Sequence, residues 1–546
     1  MSRRVVLIGA SGVFGARMAA RLALWPGIEL VLAGRRAEPL VALQAELAAA
    51  GAAAELSVAT LDRQRPSEVA ALSPWAVVDA AGPFQGASYD LARSVIEAGA
   101  HWVDLADARD FVAGFAGALD DLAQRRGVVA VTGASSSPAL TDAALTTMTG
   151  NWRRTWRIRA AIAPGAQPPG LSVVRACLSW AGQPLACFAG GEWTERPGWS
   201  GLEALRFPGV GRRRVSLADT PDLDLLARRV SEEGLIFAGI EPPLLHVLLW
   251  LIAWPVRLRL APGLARLARP LRALAAPLTR FGAPRGGMVV LAEGEDAHGE
   301  RRVARWSLAT GPGAGPSVPG APALAALRAI GEGRLAPGAR PCVGQLRLDD
   351  ILAELTHLPI TTALEAWSPE RQGLFPRVLG DAFEALPDAV RAAHGGGALT
   401  LRGRAASRGA GGPAALGRRI AGLPGPGRYD VEVSIRPAQG GEVWTRRFGA
   451  RRFSTRLVAL KAEPGLFEER LGPMAFRFSA ACDAAGFDWI QERWSFAGVP
   501  MPRWLGPRVR ARTFARDGAY RFRVVLAHPW LGVIAAYAGR LNVNAP

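Results

Sequence analysis

The stretch Val5-Val6-Leu7-Ile8, Gly9-Ala10-Ser11-Gly12-Val13-Phe14-Gly15, followed by Ala16 to Leu24, decides the reading of the chain. Four β-favouring apolar residues, a glycine-rich turn and a run with helical spacing predict strand, loop and helix in succession. Gly9 permits a tight turn, Gly12 lets the backbone approach a pyrophosphate, and Gly15 lets the helix pack close to the strand. Free N–H groups at the helix start suit phosphate oxygens. The stretch predicts a dinucleotide-binding unit, with Gly9, Ser11, Gly12, Val13, Phe14 and Gly15 against the cofactor.

The sequence downstream extends that unit. Glu29 to Ala33, Glu55 to Ala59, Trp75 to Ala80, His101 to Leu105 and Val128 to Thr132 read as further strands, mostly alternating with helical stretches. Six strands of this kind predict a Rossmann-type, doubly wound parallel sheet over residues 1–145. The end of the second strand selects the cofactor. An acidic residue there accepts from a ribose 2′-OH, whereas Gly34-Arg35-Arg36 offers cations to a 2′-phosphate. NADP is therefore expected over NAD; the alternative is a pair of solvated arginines in an arginine-rich chain.

Composition narrows the chemistry. The 546 residues suit two or three domains, and a hydrophobic share of 49% predicts a sizeable core. The one lysine is Lys461, so a Schiff base, a Walker lysine or a Tyr-x-x-x-Lys pair has only that residue to draw on. Tyr89 is followed at that spacing by Arg93. Cysteines at 177, 187, 342 and 482 form no Cys-x-x-Cys pair, the six histidines are scattered, and no metal site is expected. The start does not read as a signal peptide, and a reducing cytoplasm is expected. Net charge is +18, almost all carried by arginine; codon bias accounts for the arginine-to-lysine ratio. Residues 401–546 hold 24 Lys and Arg against 10 Asp and Glu, so most of the excess lies there. With no helix-turn-helix, zinc-finger or RNP-type pattern, nucleic-acid binding is not expected.

A set of motifs in the first 145 residues resembles the NADP-binding domain of saccharopine-dehydrogenase-like proteins. They are Gly9-x-x-Gly12-x-x-Gly15, Gly34-Arg35, Val77-Val-Asp79-Ala-Ala81-Gly82-Pro83-Phe84 and Glu97-Ala-Gly99-Ala-His101-Trp-Val-Asp104, with Trp102 where tyrosine is usual. The resemblance implies that Ala81, Gly82 and Pro83 form a turn near the nicotinamide. Proton donors would have to come from Tyr89, His101, Asp104 or water; for Asp104, capping or turn formation is an equal reading. Residues 146–370 resemble the substrate side of the same proteins. Arg157 to Ile162, Leu171 to Trp180 and Gly287 to Glu293 read as strands of a mixed α+β region, with a substrate cleft between it and the nucleotide domain.

Within that region, Leu244 to Val256 is almost wholly apolar but too short to span a bilayer. Arg257, Arg259, Arg266, Arg269, Arg272 and Arg280 follow among leucines, and no acid occurs between Glu241 and Glu293. Two readings stand for residues 244–285. One is peripheral contact with an anionic membrane at its inner face; the other is a helical hairpin on the sheet or at a homodimer interface.

From residue 371 the chain becomes strand-rich, with Tyr429, Val431, Val433 and Ile435 on one face and an Asp517-Gly518 hairpin turn. A mostly antiparallel curved sheet or barrel is expected over 371–546. Leu374-Phe375, Leu386-Pro387, Glu442-Val-Trp444-Thr-Arg446-Arg447-Phe448, Glu469-Arg470-Leu-Gly472-Pro473 and Pro500-Met-Pro502 resemble a domain family of unknown function. The reading of the whole is an NADP-dependent oxidoreductase acting on a small-molecule substrate, with lipophilic compounds among the classes expected. The alternative is a membrane-associated scaffold or sensor that binds NADP without turnover.

Overall fold

The computed structural model describes residues 3–168, 170–368, 373–438, 441–460 and 465–543, and Lys461 lies outside them. The chain divides into two compact units, 1–367 and 368–546.

Unit 1 is built on a parallel sheet. Its strands are β1 (Arg3–Ile8), β2 (Ile28–Gly34), β3 (Glu55–Thr60), β4 (Ala76–Asp79), β5 (His101–Asp104) and β6 (Val129–Thr132). Their order is β6-β5-β4-β1-β2-β3, with Gly338–Pro341 added beside β6 as a seventh strand. Val5 and Leu7 point into one core and Val6 and Ile8 into the other, so both faces of β1 are buried. Strand order reverses between β1 and β4, which is where ligands bind in open α/β sheets. The seventh strand returns from the far end of the middle region, so residues 338–341 belong to the parallel sheet rather than to the mixed sheet.

The rest of unit 1 centres on a mixed sheet in which Trp152–Ala163 lies between Glu233–Ala238 and Gly286–Asp296. Pairing is parallel with the former and antiparallel with the latter. One expectation is corrected: Leu171–Trp180 is an α-helix, not a strand. Val173 and Val174 favour extended backbone, but Ala176, Leu178 and Trp180 find buried packing on the helix and Ser172, Arg175 and Ser179 lie along its polar side. The apolar and basic segment forms short broken helices, Pro243–Ile252, Trp254–Arg257 and Ala268–Ala275, the last flanked by 3₁₀ turns. Among the described residues no helix is long and apolar enough to cross a membrane.

Unit 2 is a closed barrel. Ten antiparallel strands form a ring that closes where Met474–Asp483 pairs with Gly486–Phe496, and Val499–Met501 adds to its side. Val431, Val433 and Ile435 face inward as their alternation requires. The turn at Asp517-Gly518 has φ of 54° and 70°, as an Asp-Gly hairpin needs. Before the barrel strands the chain forms three short helices, Leu374–Leu379, Asp381–Glu384 and Asp388–His394. Phe375 of this segment packs into the barrel core, with ring centroids 4.9 Å from Phe487 and 5.6 Å from Trp489.

Candidate functional site

The glycine loop sits between β1 and the helix Val13–Leu22 (α1). Gly9 has φ +80°, and a Cβ there would lie 3.1 Å from the backbone of Ala80 and Ala81, so the loop and the end of β4 approach closely. At Gly15 a Cβ would lie 2.1 Å from the Gly9 carbonyl oxygen, which no side chain can meet without moving the loop. Gly12 precedes α1 and contributes no side-chain cap, leaving the first-turn N–H groups of Val13, Phe14 and Gly15 without an intrahelical acceptor. Ser11 is exposed on the same loop. Gly9 and Ala10 donate to the Ala33 carbonyl at 2.9 and 3.2 Å, so the loop is tied to the end of β2.

That tie brings the loop beside Gly34, Arg35 and Arg36. Both arginines are exposed, and neither has an acidic partner among the described residues. An anion bound by the N-terminus of α1 would therefore meet two uncommitted cations at the next strand. The backbone cradle that a Cβ would fill and this donor set both fit a dinucleotide with a further phosphate.

The third component is the turn after β4. Asp79 is buried at the strand end, accepts from Ala81 N–H at 2.9 Å, and pairs with Arg63 at 2.6 Å. Arg63 also donates to the Ala81 and Pro83 carbonyls at 2.9 and 3.4 Å and lies over the Phe84 ring. Burial pushes the Asp79 carboxyl up to about 6 despite the guanidinium. Ser172 donates to the Gly82 carbonyl at 3.2 Å from the far side. Ala81, Gly82 and Pro83 are thus held in place from two sides. Asp79 was visible inside the quoted Val77-to-Phe84 motif, but nothing in the sequence marked Arg63 or Ser172 as its companions.

The three candidate proton donors are not brought together. Tyr89 donates to the Phe111 carbonyl at 2.9 Å and packs on the Phe111 and Phe115 rings, which engages its hydroxyl in holding two helices together. His101 starts β5, where its Nδ1 accepts from Val129 N–H at 3.0 Å. This is the N-terminal edge of the sheet, roughly 10 Å along a four-residue strand from the ligand-facing end. Asp104 lies at the ligand-facing end but is buried. Its carboxylate accepts from Trp102 Nε1, Thr132 Oγ1, and the Ala106 and Gly133 N–H groups, all within 3.0 Å. In this structure the Tyr89 hydroxyl, the His101 Nδ1 and the Asp104 carboxylate are each engaged in hydrogen bonds within the fold.

Beside Pro83 a cleft of about 660 Å³ opens within unit 1. Gln85 lines it next to Pro83; Arg175 and Ser179 come from the helix Leu171–Trp180, and Arg266 and Arg269 from the basic segment. These three arginines have no acidic partner among the described residues. The Gln85 amide donates to Asp107 at 3.2 Å, while its Oε1 is buried without a hydrogen-bond partner. A little further away, Arg109 pairs with Asp219 and Asp224 and fastens the helix Arg109–Arg126 to the region of the mixed sheet. Buried Asp222, pushed up to about 7 by desolvation, accepts from Ser137 and Thr220. Cys177 is pushed up to about 12 by burial, so it is not a thiolate near neutral pH. Among the described residues no group of three or more His, Cys, Asp or Glu side chains is placed to hold a metal ion.

Residues 386–541 match the model of a domain of unknown function, DUF4166. No curated protein matches the sequence. Among solved structures, the chain is similar to apo saccharopine dehydrogenase (L-Glu forming) from Saccharomyces cerevisiae, at 14% identity over 67% of this chain and 100% of that one, TM-score 0.49. It is also similar to an amine dehydrogenase from Mycobacterium smegmatis, at 12% identity over 64% and 97%, TM-score 0.33. A third similar structure is an engineered D-amino acid dehydrogenase bound to NADP⁺, at 15% identity over 65% and 99%, TM-score 0.35.

Proposed function

We propose that unit 1 is an NADP-dependent oxidoreductase whose substrate carries an anionic group and lies in the cleft beside Pro83. The observation that carries the reading is convergence: the Gly9–Gly15 loop, Arg35 with Arg36, and the clamped Ala81–Pro83 turn all stand at one end of the parallel sheet, at its order reversal. The N–H groups of α1 would hold the pyrophosphate and Arg35 or Arg36 the 2′-phosphate. When bound, the nicotinamide supplies or accepts hydride, exchanged with a C=N, C=O or C=C group. Arg63 and Asp79 fix the turn over which the ring would lie, and Ser172 keeps that turn against the substrate side. Arg175, Arg266 and Arg269 would orient the substrate's anionic group, and the orphaned Gln85 oxygen would accept from a donor on it. With Tyr89, His101 and Asp104 engaged elsewhere, water in the open cleft is the proton source in this reading.

Fluorescence titration of the protein with NADPH and NADH tests the cofactor assignment. NADPH is expected to bind at least tenfold tighter, and Arg35→Ala/Arg36→Ala to erase the preference while leaving NADH binding in place. Equal or tighter NADH binding to the unaltered chain overturns it.

A further inference from the structure

Eight of the 23 large hydrophobic side chains exposed on the described residues fall between 244 and 281. On the helix Pro243–Ile252, His246, Leu249 and Trp250 are buried, whereas Leu244, Leu248 and Leu251 stand exposed at i, i+4 and i+7. These spacings put the three leucines on one helix face, which the described residues leave 41–57% exposed. Leu258, Leu260, Leu267, Leu274 and Phe281 continue the exposure, at 47–78%. Leaving such side chains in water forgoes burial that a soluble surface ordinarily provides.

The charges around them are of one sign. Arg257 is used by the fold, lying over the Trp250 and Trp254 rings and donating to the Trp199 carbonyl. Arg259, Arg266, Arg269 and Arg280 are exposed and have no acidic partner among the described residues. With no acid between Glu241 and Glu293, the neutralising charges must come from outside the segment. A second copy of this chain fits poorly, because a two-fold contact would set the same arginines against themselves. An anionic lipid surface supplies what the segment lacks, apolar depth for the leucines and phosphates for the guanidinium groups. Ten helical residues extend about 15 Å, about half the hydrocarbon core, so the helix would lie in the interface rather than cross it.

We propose that residues 244–281 dock unit 1 on an anionic lipid bilayer. Arg266 and Arg269 also line the cleft beside Pro83, so docking turns that cleft towards the headgroups and gives it access to amphiphiles held in the membrane. This consequence rests on the oxidoreductase reading; the docking itself does not.

Co-sedimentation of the full chain with vesicles tests it, in the absence of nicotinamide cofactor so that failure of either reading is seen separately. The protein is expected to pellet with vesicles of equal parts phosphatidylcholine and phosphatidylglycerol, and to stay in solution with phosphatidylcholine alone. Each arginine reversed to glutamate among Arg259, Arg266, Arg269 and Arg280 should weaken partitioning by about fivefold or more. Leu244→Ser/Leu248→Ser/Leu251→Ser should abolish pelleting with the thermal transition preserved. Trp504→Ala/Trp530→Ala, which alters an exposed aromatic pair of unit 2, should leave it unchanged. Absence of pelleting by the unaltered chain at low salt overturns the proposal, as does loss of pelleting in the tryptophan variant alone. So does a dimer-to-monomer change in the leucine variant without any vesicle binding, which would assign the face to a second copy.

Discussion

Asp104 shows how burial separates a structural carboxylate from a chemical one. Burial raises its pKa, and the four donors around it oppose that rise. Because those donors belong to the ends of β5 and β6, the side chain fastens two strands at the ligand-facing edge. Asp104→Ala leaves four donors unanswered in a dry site, a cost of about 4 kcal/mol by the usual penalty for buried unpaired groups. Urea unfolding of unit 1 should register that loss; a variant of unaltered stability but no turnover would restore the catalytic reading. Arg63 makes a complementary case. Arg63→Ala removes the donor to the Ala81 and Pro83 carbonyls and leaves buried Asp79 without its countercharge. NADPH affinity is expected to fall by about tenfold as the turn loosens, read by the same fluorescence titration.

At the scale of elements, what the sequence revealed was what local pattern can carry. Val5 to Gly15 specified strand, loop and helix because apolar run, glycine spacing and helical period all agreed. Gly15 is the tightest test of that agreement: Gly15→Val puts atoms into the Gly9 carbonyl and should abolish nicotinamide-cofactor binding, measured by titration against a folded control spectrum. Leu171–Trp180 eluded the same reasoning because two adjacent valines favour a strand locally, while the helix is selected by what it packs on. Gly338–Pro341 eluded it for another reason, since Gly-Ala-Arg-Pro has no strand pattern and is extended through its pairing with β6. The site divides likewise. Its glycines and the Arg35-Arg36 pair are contiguous motifs, whereas Arg63, Ser172, Arg175, Arg266 and Arg269 converge from distant positions and become visible only in the fold.

At the scale of the molecule, two compact units imply two unfolding events with different sensitivity to pH. In unit 2, His394 is buried against Phe375 and Trp444, and its Nε2 lies 3.2 Å from the Tyr520 hydroxyl. Desolvation lowers its pKa to about 3, against an ordinary value near 6.5. Between those limits the unfolded chain takes up a proton that the barrel excludes, so stability rises with pH from about 3 to 6.5 and is lost on acidification through that window. Glu442, raised by burial, acts in the opposite sense, gaining its proton more readily in the folded barrel. A comparison at fixed pH therefore isolates the histidine: His394→Phe keeps a buried ring and removes its titration. Differential scanning calorimetry should show the barrel transition of the unaltered chain falling between pH 6.5 and 5 by about 2 kcal/mol, or roughly 5 °C, relative to the variant. Parallel pH profiles for the two proteins would mean that His394 is protonated inside the barrel, and would exclude burial as the force that holds it neutral.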